Sequence, residues 1–298
     1  MPPLVSVSPD IETEISKKLL SVLQQHFLLP IHVEGVSPLA RHLHALYLVR
    51  LSNEIRLLLK CTSRPTTPLL RREHLMLDTE ARALSLLNRD HIPFIPRLLH
   101  YDLSGGLLGP SFLIRHRISG SNLEDIHAQL TNQERMAIDR SLGLLAKRIG
   151  QHVSGSFGSL GQAANSKGKK CWREAFLLLF EGILRDAEDV FVNIPYGEIR
   201  YQVSRKSSAL DGVSTPRLVV VNLGQPSHVL VSPESKRFCG VSGFGTAVWG
   251  DVYMAQIFED PSTSVTDGFG SCYPKCQAGR TRQLLYVISL SHQKVGLF

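Results

Sequence analysis

The stretch 217–251, RLVVVNLGQPSHVLVSPESKRFCGVSGFGTAVWGD, constrains the fold more than any other part of the sequence. It opens with a short apolar run, 218–221, of a length typical of a buried strand. A polar loop, 222–227, leads to a second apolar run, 229–231, and Pro233 favours a turn after it because proline presets its own backbone angle. The apolar residues beyond that turn predict a returning strand. This order places two loops side by side at one edge of a sheet, where a protein can hold a catalytic group and a metal ligand.

The same stretch resembles the catalytic core of the aminoglycoside phosphotransferase family, whose fold is that of the protein kinases. The family pattern is His-Gly-Asp-Leu after a hydrophobic run, then Asn or His, Val-Leu-Val, Gly-Val-Ile-Asp-Phe-Gly and often Thr-Ala-Val-Trp-Gly-Asp. This chain keeps the frame at Leu223-Gly224, 229–231, Gly240-Val241, Phe244-Gly245 and 246–251.

The resemblance implies an α+β, protein-kinase-like fold with two lobes and a cleft between them. A small mixed N-lobe with an antiparallel sheet is expected at 1–115. A larger, mostly helical C-lobe is expected at 116–298 and would contain the degenerate catalytic hairpin 217–251.

The positions where the family keeps its charged groups have changed. Asn222 stands where the family has the Asp of His-Gly-Asp, and Gly243 stands where it has the Asp of Asp-Phe-Gly. The metal-binding Asn of the family falls at Ser227 or His228. Phosphoryl transfer depends on a carboxylate that orients the nucleophile and on oxygen ligands that hold magnesium. Losing a positioned base costs on the order of 10²–10⁴ in rate. We therefore expect that metal-dependent phosphoryl transfer has been lost, and that the chain uses no metal and no cofactor.

Two other positions match the nucleotide site of the family. Lys60 matches the strand lysine that contacts the nucleotide phosphates, and Glu80 matches the helix glutamate that pairs with it. A vestigial nucleotide site and a purely structural salt bridge both remain open here. The stretch 35–41 corresponds to the family's phosphate-covering loop, but it keeps one glycine, and Pro38 lacks a backbone donor. This composition argues against tight ATP binding.

Apolar spacing predicts helices at 11–27 and 172–192, and a final helix at 280–298 after a Ser/Thr/Gly-rich loop that reaches Gly279. Two extended runs, 42–51 and 55–61, are predicted to form a hairpin. A capping box at Thr131–Glu134 opens another helix that runs to Ile149. Its inward residues are predicted to be Met136, Ile138, Leu142, Leu145 and Ile149, with Leu144 and Ala146 widening the apolar face.

Charge and cysteine content restrict the partners. The net charge is +7, yet the densest basic cluster, 167–170, is short and lacks aromatic residues, so we expect no nucleic-acid partner. A basic chain is also a poor receptor for a polycationic aminoglycoside. No apolar run approaches the ~18 residues of a membrane span, so we expect no membrane partner and a cytoplasmic location. The five cysteines, which include Cys272 and Cys276, are expected to be free thiols.

These observations lead to a functional hypothesis. A kinase-like cleft without its charges suits an apolar small molecule. The substrate pocket is predicted to consist of Val220, Val221, Gly243, Phe244, Trp249, Trp172 and Phe176. Asn222 and His228 are the predicted catalytic residues, each donating a hydrogen bond to a polarised group during a reaction such as an intramolecular cyclisation in specialised (secondary) metabolism.

Alternatives remain for the pocket and for the function. For Trp172 and Phe176, the core of the C-lobe is a better assignment than the lining of a ligand cleft. The chain could also be a residual ATP-dependent small-molecule kinase whose metal is held by His228, Asp251 or Glu259, although surface or capping roles suit the two carboxylates better. The third alternative is a non-catalytic, pseudokinase-like binding protein.

Overall fold

The structure is a computed structural model that describes residues 17–27, 30–39, 43–62, 69–106, 108, 110–271 and 276–295, the last six by their backbone alone. The chain divides into two compact units. The first takes in Met1–Pro68 and Pro96–Arg117, and the second takes in Leu69–Ile95 and Ile118–Phe298. The segment 69–95 thus groups with the second unit, although the sequence placed it in the N-lobe. The lobe boundary at 115 stays a prediction.

The first unit is built on an antiparallel sheet. Its described helix, α1, covers residues 17–23 and is followed by a 3₁₀ turn at Gln24–His26. The strands are β1 (Val33–Leu39), β2 (Ala45–Leu51), β3 (Arg56–Cys61), β4 (Leu98–Asp102) and β5 (Phe112–His116). They lie in the order β1-β2-β3-β5-β4, and every neighbouring pair is antiparallel. The predicted hairpin therefore exists as β2 and β3.

Alternate residues of β3 form one side of the core of this unit. Leu57, Leu59 and Cys61 share a face of the strand because side chains in a strand alternate between faces. They are buried in one cluster with Leu19 and Leu23 of α1. Burial raises the pKa of the Cys61 thiol to about 12, so the thiol is protonated at neutral pH.

One local prediction for the first unit was wrong. The stretch 35–41 was expected to be a loop, but its described part belongs to β1, where Ser37 pairs with Leu48 and Pro38 pairs with Tyr47. β1 is an edge strand of the sheet. An edge strand tolerates proline because one side of it makes no ladder hydrogen bonds.

The second unit is mostly helical. Its α-helices are α2 (Arg71–His74), α3 (Met76–Arg89), α4 (Leu123–Ile126), α5 (Asn132–Ile149), α6 (Leu160–Ala164), α7 (Trp172–Asp189), α8 (Tyr196–Lys206), α9 (Thr263–Phe269) and α10 (Gln277–Val295). Together with the antiparallel sheet of the first unit, this content confirms the predicted α+β class. None of the described helices is long and apolar enough to cross a lipid bilayer.

The start of α2 is held by a residue of α7. The backbone N–H groups of Arg71 and Arg72 donate hydrogen bonds to the two carboxylate oxygens of Asp186, over 3.0 and 3.5 Å. Asp186 is only 2% exposed, and it also lies 3.4 Å from the guanidinium of Arg71. A distant carboxylate thus satisfies the N–H groups that the first turn of a helix leaves without partners.

The helix α5 begins where the capping box predicted it. The Thr131 hydroxyl accepts the Glu134 N–H, and the Glu134 carboxylate accepts the Thr131 N–H. Ile138, Leu142 and Leu145 are buried as expected, but Met136 is 54% exposed. Met136 precedes Ile138 by two positions, about 200° of rotation in an α-helix, so it lies on the opposite side. Leu144 is also exposed, unlike the prediction.

The helices α5 and α9 cross at two glycines. A Cβ added to Gly143 would lie 2.2 Å from the carbonyl oxygen of Val265, and one added to Gly268 would lie 2.1 Å from the carbonyl oxygen of Arg140. Only glycine permits backbones to approach this closely. The crossing also explains a wrong prediction, because α9 lies within the Ser/Thr/Gly-rich stretch that was expected to be a loop. Residues 272–275, including Cys272, lie outside the described residues.

Two small sheets position the loops of the candidate site. β6 (Ser121–Asn122), β9 (Val229–Val231) and β10 (Phe238–Val241) form one sheet, in the order β10-β9-β6. β7 (Gly158–Ser159), β8 (Arg217–Val220) and β11 (Ala247–Gly250) form the other, in the order β7-β11-β8. Val220 at the end of β8 pairs with Ala247 at the start of β11. The residues after 220 and before 247 therefore meet at one edge of this sheet.

Candidate functional site

The pairing of β8 with β11 brings Asn222 to Thr246. The backbone N–H of Asn222 donates to Thr246 Oγ1 over 3.3 Å, and the Thr246 hydroxyl donates to Asn222 Oδ1 over 2.5 Å. Because Asn222 Oδ1 faces the Thr246 hydroxyl, the amide nitrogen of Asn222 points away from Thr246. Asn222 Nδ2 lies 3.1 Å from the point where a Cβ on Gly243 would be. Thr246 therefore fixes Asn222 with its N–H donors directed towards Gly243.

His228 completes the cluster from the other loop. It ends a 3₁₀ turn, Pro226–His228, in which its N–H donates to the Gln225 carbonyl over 2.8 Å. Its own carbonyl accepts the Ser242 N–H over 3.0 Å, which ties it to the strand end before Gly243. The ring atoms Cδ2 and Cγ of His228 lie 2.8 and 2.9 Å from the Cβ position of Gly243. The imidazole thus occupies the room that a side chain at 243 would need.

These residues do not fit a magnesium ion, which the fold of the kinases would imply. Magnesium requires oxygen ligands at about 2.0–2.1 Å in octahedral geometry. The groups nearest to a Cβ built on Gly243 are imidazole carbons of His228 and the amide nitrogen of Asn222. The side-chain oxygen of Asn222 accepts a hydrogen bond from the Thr246 hydroxyl. Within the described part of the chain, no group of three His, Cys, Asp or Glu side chains is arranged to hold a metal ion.

The structure brings together three of the predicted site residues, Asn222, His228 and Gly243, and buries the remaining residues of the predicted substrate pocket. The buried pocket residues are Val220, Val221, Phe244, Trp249, Trp172 and Phe176, each at most 7% exposed. A cavity beside Val220 has a volume of about 10 Å³, roughly the minimum that one water molecule requires. A ligand could contact these side chains only if neighbouring groups moved.

Trp172 and Phe176 form part of an aromatic cluster with Tyr286 inside the second unit. The Phe176 ring lies 5.9 Å from the Trp172 ring and 5.6 Å from the Tyr286 ring, measured between centroids. The Trp172 indole N–H donates to the Tyr286 hydroxyl over 2.9 Å. This placement agrees with the core role that the sequence favoured for the two residues.

Lys60 and Glu80 belong to different units. Lys60 lies in β3, opposite Leu46 and Leu113 of the neighbouring strands, and is half-buried. Glu80 lies in α3 and is 1% exposed. Their pairing, and a nucleotide site built on them, stay predictions.

Asp251 was considered as a replacement metal ligand, but its oxygens have other partners. It is 6% exposed and accepts hydrogen bonds from the Tyr286 hydroxyl, the Arg282 guanidinium and the Tyr253 N–H, over 2.9, 3.2 and 3.2 Å. Burial raises the pKa of Asp251 above its usual value, and these partners oppose that rise. The expected capping role is present, since Asp251 caps the 3₁₀ turn Val252–Met254, but the expected surface position is not.

Thr246 is the residue that sequence reasoning missed. Its position was visible, because it opens the Thr-Ala-Val-Trp-Gly-Asp segment of the family pattern. Its role was not visible, because a hydroxyl that orients an amide from across a sheet edge leaves no periodic or spacing signal.

Comparison with solved structures identifies proteins that share this fold. No protein-family model matches the sequence, and no curated protein matches it. Solved structures match over nearly the whole chain. The streptomycin–ATP complex of APH(2")-IIa is 16% identical with a TM-score of 0.61, covering 98% of this chain and 92% of that chain. Macrolide 2'-phosphotransferase MphH from Brachybacterium faecium is 18% identical with a TM-score of 0.55, covering 95% and 94%. The fold is that of the antibiotic phosphotransferases.

A third structure extends the comparison to another phosphotransferase. A thermostable mutant of APH(4)-Ia, in a ternary complex with ADP and hygromycin B, is 14% identical with a TM-score of 0.60, covering 95% of this chain and 90% of that chain. At these identities the shared property is the phosphotransferase fold.

Proposed function

We propose that this chain is a phosphotransferase-fold protein that does not carry out metal-dependent phosphoryl transfer. It instead binds and transforms an apolar small molecule that carries a hydrogen-bond acceptor. One observation carries the proposal: the ring of His228 fills the room beside Gly243 where the family resemblance places a metal-binding aspartate. A carboxylate could not return to position 243 unless His228 moved.

The orientation of Asn222 favours an acceptor on the ligand. Thr246 holds the amide so that its N–H groups face Gly243 and His228. A kinase site presents carboxylate oxygens to a cation at these positions, whereas this site presents amide donors. A carbonyl or another polarised oxygen is the complementary group. The residues assigned as catalytic are therefore Asn222 and His228, acting as hydrogen-bond donors to that oxygen.

An intramolecular cyclisation is the reaction class that we assign. Such a reaction needs its substrate held in a reactive conformer, which lowers the barrier without a metal or a nucleotide. A donor from Asn222 would stabilise negative charge as it develops on the carbonyl oxygen. Two structural neighbours are phosphotransferase complexes with streptomycin and with hygromycin B, which supports a small-molecule ligand. The net charge of +7 disfavours a polycationic one.

A cytoplasmic location is part of the same proposal. Four of the cysteines lie in the described residues, Cys61, Cys171, Cys239 and Cys276, and all four are free thiols. Free thiols agree with a reducing compartment.

Two measurements on the purified protein test the proposal. The first is thermal unfolding with ATP and magnesium, where we expect an unchanged melting temperature and no ADP release. The second is incubation, in the absence of ATP, with apolar carbonyl compounds that can cyclise. A cyclised product is then sought that has the same mass as its substrate. We expect turnover by the wild type and a loss of about 10²-fold or more in Asn222→Leu, which keeps the size but removes the donor. Magnesium-dependent phosphorylation of any hydroxyl compound would refute the proposal.

A non-catalytic binding protein is the second candidate. The burial of Trp172, Phe176 and Trp249 favours it, because an enzyme of this kind needs open volume around its substrate. A carbonyl compound that raises the melting temperature but is recovered unchanged would favour binding over catalysis. The residual-kinase alternative is tested by the ATP measurement alone.

A further inference from the structure

Three arginines lie side by side on the sheet of the first unit. Arg50 of β2 is the register partner of Arg56 of β3. In the β3–β5 pair, Leu57 is opposite His116. The next pair along is Arg56 and Arg117, and the Arg117 N–H donates to the Arg56 carbonyl over 3.0 Å. Residues directly opposite each other in neighbouring strands share one face of a sheet. The three side chains therefore form one line across β2, β3 and β5, the arginine row.

The arginine row is exposed, and no carboxylate neutralises it. Arg50, Arg56 and Arg117 are all exposed to solvent. Among the residues that the structure describes, no Asp or Glu forms an ion pair with any of the three. This includes Glu34 and Glu54, the acidic residues next to the row in sequence, which are exposed as well. Like charges directly opposite each other destabilise a sheet, so the row lowers the stability of the free chain.

A glycine beside the row gives the first guanidinium its place. Gly35 of β1 is the register partner of Arg50, and a Cβ added to Gly35 would lie 2.8 Å from Arg50 Nη2. The guanidinium of Arg50 thus occupies space over β1 that a side chain at 35 would need. The four strands β1, β2, β3 and β5 are neighbours in this order. With strands about 4.8 Å apart, the row from β1 to β5 covers about 14 Å.

We propose that the arginine row is a docking surface for an acidic α-helix of a partner protein, which lies across the strands. Acidic residues at i, i+4, i+7 and i+11 share one face of a helix and cover about 16 Å, with neighbouring side chains about 5–6 Å apart. This spacing is close to that of the strands that carry the arginines. Each guanidinium can donate two parallel hydrogen bonds to one carboxylate. The docking surface is independent of the proposed function and of the site at Asn222.

Other anions match the row less well. A compact oligophosphate concentrates its charge at one end of the row and leaves the other arginines unpaired. Single-stranded nucleic acids bind to basic grooves with aromatic side chains on which the bases stack, and none of the residues in the row is aromatic. Anionic lipid surfaces are recognised by clusters of about four to eight basic residues, more than this row has. An extended acidic peptide spaces the side chains of one face about 6.7 Å apart, wider than the strands.

Fluorescence anisotropy with two synthetic peptides tests the proposal on the full chain. The probe is a fluorescein-labelled helical peptide of about 20 residues with Glu at i, i+4, i+7 and i+11, and the control peptide has Gln at the same four positions. We expect the Glu peptide to bind the wild type at low ionic strength and to bind less tightly as salt is added. The Gln peptide should not bind. Failure of the Glu peptide to bind, or equal binding of the two peptides, overturns the proposal.

Three substitutions assign the binding to the row. Arg56→Gln, at its centre, should raise the dissociation constant of the Glu peptide by about tenfold or more. Gly35→Ala should also raise it, because the added methyl displaces the Arg50 guanidinium without removing a charge. Arg140→Gln is the matched control, since Arg140 is an exposed arginine on α5, and it should leave the dissociation constant unchanged. Equal affinity of the wild type and Arg56→Gln would refute the docking surface.

The melting temperature of the free chain provides a second readout. Arg56→Gln removes the like-charge contacts on both sides of the central arginine, so it should melt at a higher temperature than the wild type at low salt. The difference should shrink as salt screens the charges. A lower melting temperature for Arg56→Gln would show that the row has a structural role and would overturn the proposal.

Two further probes identify the class of partner. Tripolyphosphate and vesicles that contain phosphatidylserine are each added to the complex of the wild type with the labelled Glu peptide. We expect neither to displace the peptide at an equal concentration of negative charge. Displacement by either one would contradict an acidic helix as the occupant.

Discussion

The hydroxyl of Tyr286 donates a hydrogen bond to Asp251 Oδ2 over 2.9 Å in the interior of the second unit. The same hydroxyl oxygen accepts the indole N–H of Trp172, so one phenol connects α7, α10 and the end of β11. The Arg282 guanidinium supplies a cation to the carboxylate. A buried charge is stable only with partners of this kind.

We expect the free energy of unfolding to depend on pH through Asp251. Burial raises the pKa of this carboxyl in the folded state, so the folded chain binds its proton more tightly than the unfolded chain does. The contribution of Asp251 to the free energy of unfolding is therefore largest at low pH. It declines as the pH rises from the unfolded pKa, about 3.9, through the folded pKa.

Urea unfolding across this pH range checks the expectation. Asp251→Asn, which cannot ionise, should gain stability relative to the wild type as the pH rises. Asp260→Asn is the control, because Asp260 is exposed. A difference between Asp251→Asn and the wild type that stays constant, or changes in the other direction, contradicts the expectation.

Gly243→Ala should destabilise the protein by about 1–3 kcal/mol, because the added methyl would lie 2.8 Å from the His228 ring. In a His228→Ala background the same substitution should cost almost nothing, which gives a coupling energy of about 1–2 kcal/mol in a double-mutant cycle. Denaturant unfolding of the four chains measures it. Gly155→Ala is the control, since a Cβ there meets nothing within 4 Å. Additive effects of the two substitutions would show that His228 does not fill this space.

Gly143→Ala and Gly268→Ala should each cost about 3 kcal/mol or more. The added Cβ atoms would lie 2.2 and 2.1 Å from backbone carbonyl oxygens of the other helix, and a backbone cannot rotate away as a side chain can. Thermal or urea unfolding measures the loss, again against Gly155→Ala. A loss below ~1 kcal/mol, the ordinary range of helix propensity, would mean that α5 and α9 are not in such close contact.

Asp186→Ala should destabilise the second unit by about 1–2 kcal/mol, because it removes the acceptor for the first two N–H groups of α2. Asp186→Asn keeps an oxygen acceptor and should cost less. Asp189→Ala is the comparison, because Asp189 also pairs with Arg71 but is exposed, and exposed pairs contribute about 0–1 kcal/mol. Equal losses in Asp186→Ala and Asp189→Ala would mean that the ion pair, and not the cap, stabilises α2.

The elements that local rules determine were predictable from the sequence. Short apolar runs gave the strands around the candidate site, and the capping box gave the start of α5 at Thr131. Elements that depend on tertiary contacts were not predictable. α9 forms in a polar, glycine-containing stretch because it packs against α5 at Gly143 and Gly268. Pro38 lies within a strand because that strand is at the edge of its sheet.

The candidate site was predictable in composition but not in geometry. The family pattern identified Asn222 and Gly243 as the changed positions, and it placed the metal-binding position of the family at Ser227 or His228. No pattern could reveal that the His228 ring turns into the space beside Gly243, or that Thr246 fixes the amide of Asn222, because both depend on side-chain directions across two loops. The sequence predicted an emptied pocket at Gly243, whereas the structure places an imidazole there.

The high pKa of Cys61 makes this residue a chemical reporter on the first unit. Thiol reagents attack the thiolate form, and the Cys61 thiol, buried in the core cluster with Leu19 and Leu23 of α1 and with a pKa of about 12, offers almost none of it. Cys171, Cys239 and Cys276 are not buried, so a reagent would modify them first. The rate of the slower alkylation of Cys61 would then measure how often this sheet opens, and no label has to be introduced.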